Sequence, residues 1–416
     1  MTRSLDKSRQ KMAAERGASK QLSPVSDTSM TSRQRLVTAL EGGIPDRLPV
    51  TTHHLMPSFL KTLKNGMSNE DFFEHFGLDP IQWVVVHRPD SAKGQYFHPE
   101  QGELGFLGCR YISHDHWRLE WEPITNTNYV TVRYRFVTPK GTLDMVLQSN
   151  EHTTWISEHL VKNKRDIDVL AEFMTAPLCD VDAVNRIANQ YGQLGLIRGH
   201  ICCFDVFGQP GTWQDAACLV GIERLIMETY DDPDWVHQLL GILHQRKKTF
   251  ITSLNGASYD LLELGGGDAS STVISPTIFD EFVAPYDADL IEAAHGADQR
   301  ISYHVCGGMM PFLERLAAMK PDAVETFTPV GMGGDARLAE ARKRIPMEIC
   351  MIGGFDQFHF FTGCSEAETR KEVRRCFEEA GRDGAYILCP SDHFFEAEEK
   401  LLHAFADEAG KCTYNR

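Results

Sequence analysis

The sequence predicts an α/β protein with the (β/α)₈ fold, a TIM barrel, carrying an antiparallel β insertion in its first half. From Leu194 onward, short apolar runs alternate with amphipathic helical segments, which is typical of parallel strands joined by crossover helices. With one strand near Val50 and one hidden in the middle of the chain, these runs amount to about eight strands. A doubly wound open sheet is the alternative arrangement of the same elements.

Composition and charge exclude several classes of protein. The 416 residues are 42% hydrophobic and 24% charged, as in ordinary globular proteins. No apolar run of about 18 residues occurs and the first residues lack the apolar core of a secretory signal, so we expect a cytoplasmic protein that does not enter the membrane. The net charge of −16 repels phosphates and argues against nucleic acid as a partner. The 11 cysteines have no regular spacing, which favours reduced thiols.

The first part of the chain contains a tail, a short helix and a strand. Residues 1–29 are polar and have no apolar period, so we expect a disordered tail before a single domain at 30–416. Ser32 is the expected cap of the helix, and "RLPV" is the expected first strand. His53 and His54 then lie at the C-terminal end of that strand.

Two further segments complete the barrel. Between about 117 and 160, the segments "WRLEWEPI", "NYVTVRYRFV" and "TLDMVLQS" alternate with period two and are separated by turns such as "PKG", which predicts the antiparallel insertion. Later strands are expected in "LGLIRG", "YDLLELGG", "RISYHVCGG", "AVETFTPV", "MEICMIGGFD" and "GAYILCPSD". No GxGxxG or GxxxxGK[ST] pattern supports a nucleotide cofactor.

Polar residues collect at the C-terminal ends of these strands, where barrel enzymes carry their active sites. They come from segments far apart in the sequence and would converge on one mouth. They are Glu263, Asp268, His304, Cys306, Glu325, Asp356, Cys389, Asp392 and His393.

His304 and Cys306 lie two residues apart and therefore point the same way from a strand. Imidazole with thiolate suits Zn²⁺, and Cys389 at a neighbouring strand end is the natural third ligand of a catalytic site with one open position. Glu263 is then a fourth ligand or a hydrogen-bonding partner of a histidine. The alternative is that His304 and Cys306 only fill the core.

The remaining polar residues have two interpretations each. Asp268 and Asp356 are candidate catalytic residues, but like Asp392 they can equally be N-caps of the following helices. His53 and His54 are candidate lining residues or structural histidines. The adjacent Cys202 and Cys203 point to opposite faces of a strand and are not expected to act together.

Several motifs together resemble the uroporphyrinogen decarboxylase superfamily. "SRQRLVTALEGGIPDRLPV" resembles its opening, and "ISPTIFDEFVAPYDADLIEAAH", "YHVCGG", "DAVETFTP", "MIGGFDQ" and "GAYILCPSDHFFEAEEKLL" follow in the superfamily's order. True decarboxylases carry an arginine-rich "MRQAGRY"-like stretch after the first strand, where this chain reads "VTTHHLMPSFLK" without arginine. The resemblance is therefore to the other branch, the corrinoid (cobalamin)-dependent methyltransferases, which implies a (β/α)₈ barrel.

In that branch a zinc ion is held by His-x-Cys and a distant Cys, which His304, Cys306 and Cys389 match. The branch reads Pro-Gly-Cys-Gly where this chain reads "LCPSDH", so Asp392 or His393 is the alternative third ligand. The resemblance implies a zinc that activates a thiol toward a methyl-corrinoid, or that activates a methyl donor toward Co(I).

The resemblance also implies the partners. No cobalamin-binding Asp-x-His-x-x-Gly pattern occurs, so the corrinoid is expected on a separate protein. The other expected partner is a small-molecule methyl donor or acceptor, which is a thiol, a folate or a methyl ether. A homodimer is the candidate assembly. Glu263, Asp268 and Asp356 are then catalytic, His53 and His54 line the cofactor site, and Gly307 and Gly308 leave room for the cofactor. Two alternative functions remain: a metal-free lyase of the decarboxylase type, and a barrel that binds a corrinoid or tetrapyrrole without transforming it.

Overall fold

The computed structural model describes residues 29–63, 66–85, 87–88, 116–201 and 209–414. The predicted disordered tail falls, except for Ser29, outside these ranges, and so do Cys202 and Cys203. Thr31–Arg416 forms one compact unit. No helix among the described residues combines the length and apolar character that crossing a bilayer requires.

A parallel sheet of seven strands forms the centre of the described chain. In spatial order, the strands are β1 (Ile81–Trp83), β8 (Leu196–His200), β9 (Leu261–Gly265), β10 (Ile301–His304), β11 (Ala323–Thr326), β12 (Cys350–Gly353) and β13 (Tyr386–Ile387). Every neighbouring pair is parallel. The residues of β8 to β12 are all buried, as expected for strands covered by helices on the outside and side chains within.

The predicted first strand closes the two edges of this sheet. Val50 forms a parallel bridge with Leu388, beside β13, and its carbonyl accepts a hydrogen bond from the Asp79 amide at 2.7 Å, just before β1. The first strand is thus reduced to a short bridging segment, and the hidden strand expected in the middle is β1. The predicted (β/α)₈ class is confirmed.

The helices lie between the strands in the expected alternation. Thr31, not Ser32, caps the first helix. The Thr31 hydroxyl accepts a hydrogen bond from the Gln34 amide, and the Gln34 side chain accepts one from the Thr31 amide. The helices are α1 (Ser32–Leu40), α2 (Pro57–Thr62), α3 (Asn69–Phe76), α4 (Asp166–Phe173), α5 (Val181–Tyr191), α6 (Thr212–Val220), α7 (Ile222–Asp231), α8 (Pro233–Thr252), α9 (Ala284–Gly296), α10 (Leu313–Ala318), α11 (Leu338–Arg344), α12 (Gln357–Phe360), α13 (Glu366–Cys376) and α14 (Glu399–Lys411). Pro276–Ile278 and the π-helical Phe279–Val283 lead directly into α9.

The predicted insertion is a separate antiparallel sheet of four strands. It consists of β3 (Arg118–Ile124), β4 (Val130–Thr138), β5 (Gly141–Ser149) and β6 (Thr154–Glu158), in that spatial order. Alternate residues of β4, such as Tyr134 and Phe136, are buried, which is what its period-two pattern predicts. Two short strands, β2 (His87–Arg88) and β7 (Leu178–Cys179), pair antiparallel elsewhere.

Asp79 joins the first strand to β1 and is fully buried. It accepts from Arg35 at 2.6 Å, from Arg47 at 2.9 Å and from the Val50 amide at 3.0 Å. Two guanidinium groups would lose their shared carboxylate if this side chain were removed.

We expect Asp79→Ala to lower the free energy of unfolding by about 2–3 kcal/mol, because the Val50 amide and Arg47 lose their buried acceptor, while Arg35 keeps its ion pair with Asp46. Urea denaturation measures this. The control is Glu120→Ala, which breaks an exposed ion pair between Arg118 (57% exposed) and Glu120 (46% exposed). This variant should lose less than about 1 kcal/mol of unfolding free energy. Equal losses in the two variants would contradict the closing role of Asp79.

Candidate metal and substrate site

A cavity of about 290 Å³ lies at the C-terminal ends of the barrel strands. Imidazoles and carboxylates dominate its described lining, which includes one thiol and neither lysine nor arginine. The ionisable groups that line it are His53, His54, His200, His304, His393, Glu263, Asp268, Asp392 and Cys306.

Four of the buried groups at this end of the barrel converge closely enough to share one metal ion. Each of them offers a ligand atom within 4.8 Å of the others: His53, Glu263, His304 and Glu325. Nε2 of His53 lies 3.3 Å from both carboxylates, and Nδ1 of His304 lies 3.1 Å from Oε1 of Glu325. Two imidazoles with two carboxylates are a donor set that suits a divalent transition metal.

Strand register brings these side chains together. His304 on β10 is the direct partner of Glu325 on β11, and Glu263 on β9 is the partner of His200 on β8. Glu263 is in register with Ser302, two residues before His304 on β10, so the side chains of Glu263 and His304 project from the same face of the sheet.

Arg198 on β8 forms ion pairs with both carboxylates of the cluster, those of Glu263 and Glu325. Its Nη2 lies 2.6 Å from Oε2 of Glu325 and 3.1 Å from Oε2 of Glu263, and its guanidinium stacks 4.6 Å from the ring centre of Trp83. The arginine is 3% exposed, so both ion pairs are protected from solvent screening.

The cluster shifts the protonation of its members. Burial disfavours the charged imidazolium of His304, but Glu263 and then Cys306 outweigh it and hold the pKa of His304 well above its ordinary value. Burial would likewise raise the pKa of Glu325, yet Arg198, His304 and His53 hold it well below the ordinary range. The groups therefore exist as a mutually charged network.

The residues expected to hold zinc are divided between the cavity and the core. His304 belongs to the four-residue cluster, and the Cys306 thiol lines the cavity within hydrogen-bonding reach of that imidazole. Cys389 is 2% exposed beside the same network, and burial, followed by Glu325, raises the pKa of its thiol. Asp392 and His393, the alternative ligands, line the cavity and pair with each other at 2.8 Å.

The candidate catalytic carboxylates occupy three different environments. Glu263 is in the cluster. Asp268 lines the cavity, where its carboxylate accepts from Nε2 of Gln214 at 2.7 Å. Asp356 caps α12, because its side chain accepts from the His359 amide, as the N-cap alternative expected.

The candidate cofactor-binding residues also differ in their surroundings. His53 is in the cluster, and His54 lines the cavity with its ring 4.1 Å from that of Trp83. The amides of Gly307 and Gly308 donate to the hydroxyls of Thr328 and Thr272. A Cβ at Gly308 would lie 2.4 Å from Oγ of Ser271, so close packing explains this glycine.

Sequence reasoning overlooked Arg198, His200 and Gln214. All three belong to segments that read as ordinary strand or helix, although the buried strand "LIRGH" carries an arginine and a histidine, which is unusual for a core strand. Glu325 ends a predicted strand, but no local pattern in the sequence places it near a metal.

Comparisons with known proteins find similarity in the second half of the chain. Residues 206–406 match the family model described as Uroporphyrinogen decarboxylase (URO-D). This region, just under half of the chain, is similar to the uroporphyrinogen decarboxylase family. A protein from Nocardia farcinica named uroporphyrinogen decarboxylase is 29% identical over 181 residues, which is 43% of this chain and 47% of that protein. The match therefore spans about half the length of the curated relative.

Solved structures extend the likeness of the uroporphyrinogen decarboxylase-like chain to its full fold. A methyltransferase from Methanosarcina mazei matches with a TM-score of 0.60 and 15% identity, over 92% of this chain and 99% of the other. A B12-independent methionine synthase from a Shewanella species matches with a TM-score of 0.37 and 10% identity, over 56% of this chain and 64% of the other. At this level of identity the first match supports the fold alone. The expected superfamily resemblance is confirmed.

The matched region contains only part of the cluster. Glu263, His304 and Glu325 lie within residues 206–406, whereas His53 and Arg198 lie before them. The site of this uroporphyrinogen decarboxylase-like barrel therefore depends on both halves of the chain.

We expect Arg198→Met to lower the free energy of unfolding at about pH 7 by roughly 3–5 kcal/mol, because Glu263 and Glu325 would remain buried without their guanidinium partner. The folded pKa of Glu325 is depressed, so its stabilising contribution is present above the unfolded pKa of 4.5 and is lost as the pH falls through the folded pKa. The difference between variant and wild type should therefore shrink at acid pH. Urea denaturation over a pH series measures it, and a difference that stays constant to about pH 3 would refute the assignment.

Proposed function

We propose that this protein is a zinc-dependent methyltransferase that moves a methyl group between a corrinoid and a small molecule. One observation carries the proposal: the His304 imidazole and the Cys306 thiol line one cavity, and Glu325 holds Nδ1 of His304 at 3.1 Å. A carboxylate on one ring nitrogen orients the imidazole, and a metal would bind the other nitrogen by displacing its proton, which is the usual support of a metal-binding histidine.

His304, Cys306 and Cys389 are the proposed zinc ligands, as the superfamily resemblance implies. Their donor atoms fit zinc, which binds thiolate and imidazole in a tetrahedral site. Glu263 and His53 lie on the same side of the cavity and can supply the fourth ligand or hydrogen-bond a substrate. His53 has a buried Nδ1 without a hydrogen-bonding partner among the described residues, which fits a group that completes its contacts on a ligand.

A bound zinc would supply Lewis acidity, either lowering the pKa of a substrate thiol or polarising a methyl donor. The protein's own residues orient the site. Arg198 holds the carboxylate of Glu325, and Glu325 in turn holds Nδ1 of His304. Gly267 packs against the Cys306 sulfur, since a Cβ at this position would lie 2.7 Å from that atom. Burial of these groups excludes water from the reacting atoms.

The corrinoid is proposed to come from a separate protein. A cavity of about 290 Å³ is at the lower limit of small-molecule sites and accepts a small methyl donor or acceptor, whereas a corrin ring has to remain at the mouth. The docking of a corrinoid protein over the strand ends and a homodimeric assembly both stay predictions. A cytoplasmic location is likewise proposed on the sequence alone.

A metal-free decarboxylase is the second candidate, and the family match favours it. Its substrate carries several carboxylates, which need cationic partners. The described cavity lining offers neither lysine nor arginine and instead presents Glu263, Asp268 and Asp392. Like charges would oppose such a substrate, so the methyltransferase is the better proposal.

We expect about one zinc per chain in the purified protein and much less in Cys306→Ala. Metal analysis measures this, and mixing wild type with methylcobalamin and candidate thiols should change the corrinoid spectrum, whereas Cys306→Ala should leave it unchanged. The control is Cys364→Ala, which removes a half-buried thiol outside the cavity lining. Wild-type protein without stoichiometric metal would refute the proposed mechanism.

X-ray absorption at the zinc edge tests the ligand set directly. We expect two sulfur ligands at about 2.3 Å, reduced to one in Cys389→Ser. A shell of only nitrogen and oxygen at about 2.0–2.2 Å would instead assign the metal to the cluster of His53, Glu263, His304 and Glu325.

A further inference from the structure

Asp268 is the carboxylate of this cavity that the proposed metal chemistry leaves unused. The other two lining carboxylates have cationic or imidazole partners: Glu263 contacts Arg198 and His53, and Asp392 pairs with His393. Asp268 has no ion-pair partner among the described residues, and its Oδ1 accepts no hydrogen bond from them. Its negative charge is therefore directed at whatever occupies the cavity.

The Asp268 carboxylate is held in place. Nε2 of Gln214 donates to its Oδ2 at 2.7 Å, and Oε1 of Gln214 accepts from its backbone amide at 2.8 Å. The indole of Trp213 donates to its carbonyl at 3.0 Å. Two of these hydrogen bonds fix the backbone of Asp268 and one fixes its carboxylate, which reduces the reorganisation needed when a ligand arrives.

Two features accompany Asp268: a tightly packed run of glycines that precedes it, and a second polar group that lines the same cavity. The preceding residues, 265–267, are glycines, and Gly265 has a φ of +98°, a conformation that other residues rarely adopt. His200 also lines the cavity, is 3% exposed, and has neither ring nitrogen hydrogen-bonded within the described chain. A buried imidazole whose ring nitrogens make no close hydrogen bond is available to a bound molecule.

We propose that the small-molecule partner of the proposed transfer is an organic cation of the methylated-ammonium class, with its positive charge against Asp268 and a polar group against His200. Complementary charge in a water-poor site is worth far more than at a surface. The volume of about 290 Å³ favours a small molecule. The part of the cation in methyl transfer rests on the proposed function, whereas its binding at Asp268 does not.

Two probes of nearly equal shape isolate the effect of charge. Choline and 3,3-dimethylbutan-1-ol differ in having nitrogen or carbon at the branched centre, so only choline carries a positive charge. Calorimetric titration of the full zinc-loaded chain should give a dissociation constant at least about tenfold lower for choline. In Asp268→Asn, which keeps the shape of the side chain, the two constants should become nearly equal.

Matched controls separate this role from others. Asp182→Asn removes one charge from the exposed first turn of α5 and should retain the preference for choline. Asp268→Asn should keep its zinc and its unfolding free energy, and Asp268→Glu should recover part of the preference. Equal affinity of wild type for both probes, or an unchanged preference in Asp268→Asn, would overturn the inference, as would loss of zinc from Asp268→Asn.

Failure of the proposed function gives a different result. Wild-type protein without zinc that still prefers choline would refute the metal mechanism and support the cation site. Zinc-containing protein that transfers methyl groups from methylcobalamin but binds both probes equally would support the metal mechanism and refute the cation site.

Discussion

The pairing of Arg198 with Glu263 and Glu325 is the interaction on which the site depends. Two carboxylates inside a barrel repel each other, and each loses its hydration when buried. A single guanidinium nitrogen within 3.1 Å of both offsets that cost and holds them at a fixed separation. His53 and His304 then find acceptors already in position. Without the arginine, the same residues would be an unstable concentration of negative charge.

The barrel makes this pairing feasible. Residues from four strands face one site because the parallel register puts them an even number of residues apart, so that their side chains share one face of the sheet. Closure depends on a second buried network at the other end of the strands, where Asp79 links Arg35 and Arg47 to the first strand. The fold therefore carries buried charge at both ends, one network that closes the barrel and one that forms the site.

The cavity has an asymmetric distribution of charge. One side carries the paired cluster with the Cys306 thiol, and another carries Asp268, whose only side-chain partner in the described structure is Gln214. A network that is internally neutralised is suited to hold a metal or a proton, whereas an unpaired carboxylate is suited to attract a ligand. The two proposals for this protein rest on these separate features.

The sequence by itself determined the alternation of strands and helices, the antiparallel insertion and the mouth at which the polar residues meet. Apolar periodicity is local, and parallel strands share one end, so these conclusions needed no coordinates. His304, Cys306 and Glu263 could be selected because each ends a predicted strand.

The tertiary structure alone decided which groups touch. Arg198 appears in the sequence as one residue of a core strand, and Gln214 as one residue of a helix, because pairing across strands depends on register and rotamer, which short segments do not encode. It also separated Asp268, left facing the cavity, from Asp356, used as a helix cap, although both follow strands in similar sequence contexts. Residues distant in the chain become partners only when the closed barrel brings their strands to the same level.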